Sequence, residues 1–114
     1  MMIYELRIYE CFSGRLENLN SRFRNHTLKL FEKHGIKNIG YWTTDVGPSN
    51  NTLTYLLAYK NEESRVKSWK NFRNDPEWGK VVADSHKDGL IVKNAVSYTH
   101  LRAHETREDR VFRL

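Results

Sequence analysis

Apolar and polar residues alternate from the start of the chain. Over residues 2–11, Tyr4, Leu6 and Ile8 fall on one side of an extended strand, and Ile3, Glu5, Arg7 and Tyr9 on the other. The first set is expected to pack under helices. The second mixes charge with large apolar groups, which suits a sheet face that meets another protein surface. Ser13-Gly14 breaks the strand, with Ser13 a candidate helix cap. The period then changes. Leu16, Leu19, Phe23, Thr27, Leu30, Phe31 and His34 recur at three- and four-residue steps, which predicts a helix over about 15–34 with one apolar stripe. His26 lies at the edge of that stripe and His34 near its centre. Lys33 and His34 place cations at the helix end, and Gly35 follows where a left-handed residue is wanted.

A strand over 36–46, a turn over 47–51 and a strand over 52–60 predict an antiparallel hairpin. Both faces of the later strand are largely apolar, so both are expected to be covered. Asn61 caps the next helix, whose inner face is expected to carry Val66, Trp69 and Phe72. Asn74-Asp75-Pro76 stops it and opens a second short helix with Trp78, Val81, Val82 and Ser85 inward. Gly89 ends that helix, and residues 90–96 form the last strand. The order β-α-β-β-α-β predicts an α+β, ferredoxin-like fold: a four-stranded antiparallel sheet with helices on one face. If the other face carries Ile3, Tyr9, Ile39 and Tyr41, a homodimer packing sheet against sheet would cover it.

The 114 residues suit one domain. Lys and Arg number 19 against 14 Asp and Glu, a net charge of +5, but the cations are scattered among acids. That pattern argues against a nucleic-acid partner, which would call for a clustered basic stripe. Cys11 is the chain's one cysteine, which excludes an internal disulfide and fits a reducing, cytoplasmic setting. No apolar run is long enough to span a membrane, and a strand at the N-terminus leaves no room for a signal peptide.

Motifs with defined chemistry are missing. The histidines show no HxxxH or HExxH spacing on one helix face outside His100 and His104, so no metal is expected. No nucleophile elbow or phosphate-cradling loop is present. The suggestive residues are polar or aromatic groups expected between sheet and helices: Trp42, Tyr55, Arg65, Trp69 and Trp78 as ligand-binding candidates, with His26 as a weak catalytic candidate. The competing reading makes His26 a satisfied core histidine and the aromatics core filling.

Four segments together resemble the NIPSNAP family: Met2-Ile3-Tyr4-Glu5-Leu6-Arg7 with Tyr9, Glu32-Lys33-His34-Gly35-Ile36, Gly40-Tyr41-Trp42-Thr43-Thr44, and Asp75-Pro76-Glu77-Trp78. The resemblance implies a ferredoxin-like dimeric α/β barrel and supplies no catalytic residue set. It points to a binding or interaction module without a cofactor. Analogy at the level of fold offers a small cofactor-independent monooxygenase acting on an apolar aromatic substrate as the alternative. After about Ser97 the chain departs from the family pattern and looks like translated vector read-through. The expected organisation is therefore a domain over 1–97 and a non-native or disordered tail over 98–114.

Overall fold

The first strand becomes the centre of the sheet. In a computed structural model that describes residues 2–47 and 49–100, β1 (Ile3–Cys11) is flanked by β3 (Thr52–Tyr59) and β4 (Val92–His100), and β2 (Lys37–Thr43) extends the sheet beyond β3. The order is β2-β3-β1-β4, and every pairing is antiparallel. Between the strands run α1 (Leu16–Arg22), a π turn (Phe23–Thr27), α2 (Leu28–Lys33), α3 (Glu62–Arg73) and α4 (Pro76–Ser85). This is the ferredoxin-like α+β architecture that the element order predicts.

The two faces of β1 are the reverse of the sequence expectation. Arg7 pairs with Tyr55 and Ser97, and Glu5 with Leu57, so these side chains share a face. That face, with Ile3, Leu53, Tyr55, Leu57 and Tyr59, lies buried against helix residues Leu19, Phe23, Phe31, Trp69 and Phe72. Tyr4, Leu6 and Ile8 point to the side that no described helix covers. Tyr41 also belongs under the helices, its ring stacked at 5.0 Å and 9° on Tyr55. Ile39 sits in the register shift between Asn38 and Gly40. Alternation sorts residues into two sets without saying which set is inside. Here the charged set is inside because its charges neutralise one another.

The long helical run keeps its apolar stripe by changing pitch. Leu19, Phe23, Thr27 and Phe31 are all buried and follow one another at four-residue steps. In a regular α-helix each such step drifts by about 40°. The π turn absorbs the drift: the Leu28 N–H reaches the Phe23 carbonyl, five residues back. Arg15 is the N-cap of α1 and makes no side-chain cap bond, so the expected Ser13 cap is not used. At the other end, Gly35 has φ +81°, its N–H bonds Glu32 and the Ile36 N–H bonds Phe31, the paired bonds of a Schellman ending.

Asn61 caps α3 by accepting from the Ser64 N–H at 2.8 Å, and Asp75 caps α4 by accepting from the Glu77 N–H at 2.9 Å. Val66 does not join the inner face of α3. It is 56% exposed, and the inward stripe is Arg65, Ser68, Trp69 and Phe72. The last strand begins later and ends later than expected. Leu90 is exposed, Ile91 is buried, and pairing continues past Ser97 through Tyr98 and Thr99. The remainder of the expected tail, 101–114, lies outside the described residues. No helix among the described residues is long and apolar enough to cross a membrane.

Gly35→Ala should lower unfolding free energy by about 1 kcal/mol, the penalty for a Cβ in the left-handed region. Its Cβ would meet only Ser68 Oγ, at 3.5 Å, so the loss is backbone strain rather than a clash. Urea denaturation measures it, and Gly35→Asn should recover part of the loss.

Candidate functional site

Glu5 is a fully buried carboxylate at the middle of the sheet. Its Oε1 accepts from the Tyr59 hydroxyl at 2.6 Å and Arg65 Nε at 3.1 Å. Its Oε2 accepts from Arg7 Nη1 at 2.8 Å, Arg65 Nη2 at 3.3 Å and the Ser97 hydroxyl. Trp69 Nε1 completes the chain by donating to the Tyr59 oxygen at 2.7 Å. Burial pushes the Glu5 carboxyl up. The hydrogen bonds from Arg65, Ser97 and Tyr59 and the Arg7 charge more than offset it, bringing it down to about 2. A carboxylate so saturated is not a general base at neutral pH. It anchors the groups around it.

Arg7 is the group it anchors. Besides Glu5, its Nε donates to the Tyr55 hydroxyl and its Nη2 to the Tyr9 hydroxyl, both at 2.9 Å. The guanidinium lies 4.5 Å from the Trp69 ring centre. Burial works against its charge, but the Tyr55 and Tyr9 oxygens and Glu5 hold it firmly protonated. Burial likewise pushes the Tyr55 and Tyr41 hydroxyls well up, so both are neutral.

Arg7 and Tyr9 form one wall of a cavity of about 200 Å3 between the sheet and the helices. Phe23, Phe31, Trp69, Phe72 and Trp78 supply its aromatic walls, and Arg22, Thr27 and Arg73 the remaining lining. The rings brace one another: Phe31 lies 4.9 Å from Phe72, and Phe72 lies 4.5 Å from Trp78. The cavity is set across the joint where α3 gives way to α4. Asp75 holds that joint. Its Oδ2 receives Lys33 Nζ at 2.9 Å and lies 2.7 Å from His34 Nε2. Hydrogen bonds from Lys33, His34 and the Glu77 amide hold the Asp75 carboxyl well below the usual range.

The structure brings some of the expected residues together and separates others. Trp69 and Trp78 line the cavity. Tyr55 is buried behind Arg7, and Arg65 sits on the far side of Glu5. Trp42 lies elsewhere: it is one residue out of phase with Tyr41, falls on the opposite sheet face and is 52% exposed. Its ring lies over Gly40, where an added Cβ would come within 2.8 Å of it. His26 is exposed and borders the surface groove between α1 and α4, not the aromatic cavity. Sequence reasoning missed Arg22 and Arg73. Each adjoins a buried aromatic, Phe23 or Phe72, and that adjacency was the available signal. Burial raises the Cys11 thiol, so it is a buried thiol rather than a thiolate nucleophile. Among the described residues no cluster of three His, Cys, Asp or Glu is placed to hold a metal.

A four-stranded antiparallel sheet with helices over one face and an arginine-bearing aromatic cavity between the layers defines a ferredoxin-like α+β protein. The chain belongs to the NIPSNAP family, whose profile matches residues 4–103. Its fold is shared with a NIPSNAP-family protein of unknown function from Agrobacterium tumefaciens str. C58, at 20% identity over 90% of this chain and 88% of that one, TM-score 0.77. An uncharacterised NIPSNAP-like domain protein from Burkholderia xenovorans is 23% identical over 91% and 87% of the two chains, TM-score 0.78. A putative antibiotic biosynthesis monooxygenase from Nitrosomonas europaea is 11% identical over 90% and 99%, TM-score 0.61, a likeness of fold alone. No curated protein matches the chain.

Because the Glu5 carboxyl titrates near 2 when folded and near 4.5 when free, the unfolded chain takes up its proton first. Its contribution is complete above pH 4.5 and is lost as pH falls toward 2. Glu5→Gln should therefore lose on the order of 3 kcal/mol at pH 7. It should also flatten part of the acid limb of the stability profile, with Asp75 supplying the rest, as read by denaturation across pH 2–7. His26→Ala should stay within about 0.5 kcal/mol of the parent in thermal denaturation, as an exposed surface substitution.

Proposed function

We propose that this chain is a homodimeric α/β-barrel binding module that holds a small aromatic ligand in the cavity between sheet and helices. The observation that carries the reading is the cavity itself. It is apolar and aromatic on its walls, with a few polar groups already fixed by hydrogen bonds, the usual composition of a preformed ligand site. Trp69 and Trp78 keep the ligand-binding role assigned to them from sequence. Tyr55 and Arg65 act through the network that positions Arg7.

The dimer reading keeps the sheet face opposite the helices but changes the residues on it. That face carries Leu6, Ile8, Leu56 and Val96, with Trp42 and Tyr98 each more than half exposed. Four strands about 4.8 Å apart and about 27 Å long give a projected face of roughly 500 Å2. With side-chain relief that approaches the roughly 800 Å2 per partner of a stable interface. Cytoplasmic residence belongs to the same reading, on the single, buried, free Cys11.

A cofactor-independent monooxygenase is the second reading. The Tyr9 hydroxyl and Arg7 guanidinium at the cavity wall favour it, since they are placed to stabilise a phenolate. Oxygen consumption with single-ring phenols separates the two: steady uptake that Tyr9→Phe abolishes supports the enzyme.

Native mass spectrometry should give a dimer for the parent. Ile8→Glu should raise the dimer dissociation constant on the order of 100-fold, about 2.7 kcal/mol, with the circular dichroism spectrum unchanged. A monomeric parent would overturn the dimer.

A further inference from the structure

We propose that the ligand of this cavity is an anion: a single-ring aromatic carboxylate, its ring between the aromatic walls and its carboxylate held by Arg22 and Arg7. This rests on the binding reading above and adds the ligand's size and charge.

The charge of the lining favours an anion. Three of the ten residues lining the cavity are arginines, and none is acidic. Glu5 and Glu62 together balance Arg7 and Arg65. Among the described residues, no carboxylate lies within 4.0 Å of Arg22 or Arg73. Two cations therefore stand at an aromatic cavity with no ion-pair partner among the described residues. Arg73 is exposed to water and tolerates this. Arg22 is not free in the same way. Its Nη1 donates to Ser85 Oγ at 3.2 Å and its guanidinium carbon lies 5.3 Å from the Trp78 ring centre, but its Nε is buried and finds no partner among the described residues. A buried unsatisfied donor on a charged group has lost its water without gaining a partner. Burial also pushes the Arg22 pKa down, as expected for a cation without a paired anion. A carboxylate relieves both costs at once, because guanidinium and carboxylate match in a plane through two hydrogen bonds.

Arg7 is preorganised to receive it. Three of the five N–H groups of Arg7 are committed to Glu5, Tyr55 and Tyr9, which fixes its plane against Trp69 and leaves two donors. The cavity also sets the ligand's size. An engineered cavity of about 150 Å3 accepts benzene. A cavity of about 200 Å3 adds space for one carboxylate.

The test uses the purified full chain and two ligands of one shape, benzoate and its uncharged amide, benzamide. Trp69 and Trp78 report binding by fluorescence, and calorimetry confirms it. Benzoate should bind at least 10-fold more tightly than benzamide, and Arg22→Gln should bring that ratio close to one. If Arg22→Gln fails to fold, Arg73→Gln at the exposed rim should reduce the ratio about threefold. Equal binding of benzoate and benzamide overturns the charge assignment and leaves the binding module standing. Inorganic phosphate competing as well as benzoate overturns the aromatic body. Binding of neither ring overturns the binding reading and this inference with it.

Discussion

A single buried negative charge sets the terms for this fold. Glu5 is fully enclosed on the central strand, where an unpaired carboxylate would cost several kcal/mol. Its partners come from four elements: Arg7 in β1, Tyr59 in β3, Ser97 in β4 and Arg65 in α3. Each must be in register for the charge to be tolerated. A slip of one residue in either flanking strand would turn Tyr59 or Ser97 to the other face and strand the carboxylate. The network therefore selects one sheet register and one seat for α3. Apolar packing alone would select these weakly, because both sheet faces carry large hydrophobic residues.

The same fact explains what was legible in the sequence. Element order, the β2–β3 hairpin, the Gly35 ending and the Asp75-Pro76 joint follow from local signals, and each is present. The side of the sheet that faces the helices did not follow. Ile3, Glu5, Arg7 and Tyr9 look like an exterior face because two are charged, and their neutralising partners lie far away in sequence: Tyr59 is 54 residues from Glu5, and Arg65 is 60. No periodicity carries information at that range. Trp42 went astray for a smaller reason. In Gly40-Tyr41-Trp42 two large aromatics occupy adjacent positions, so only one can face the helices. The stack of Tyr41 on Tyr55 decides which.

The site was half visible on the same grounds. Trp69 and Trp78 lie on helical stripes and could be placed by period. Arg22 and Arg73 look like solvated helix surface, because a stripe ends at its aromatic and an arginine beside it counts as outside. A long side chain blurs that boundary: its stem runs along the ring and its head lies where the stripe ends. Arg22 beside Phe23, and Arg73 beside Phe72, both reach the cavity in this way.

Rigidity in this cavity comes from the helix joint as much as from the sheet. Asp75 interrupts the apolar run between Phe72 and Trp78, yet those rings meet at 4.5 Å because its side chain caps α4 and turns the chain sharply. Lys33 and His34, at the end of α2, grip the same carboxylate. Two acids thus frame one apolar space. Glu5 fixes Arg7 and the sheet side, and Asp75 fixes the helix side. Neither lines the cavity. Acids placed behind the walls organise the arginines and the rings without neutralising Arg22 and Arg73. The positive character of the cavity therefore follows from where the two buried carboxylates stand.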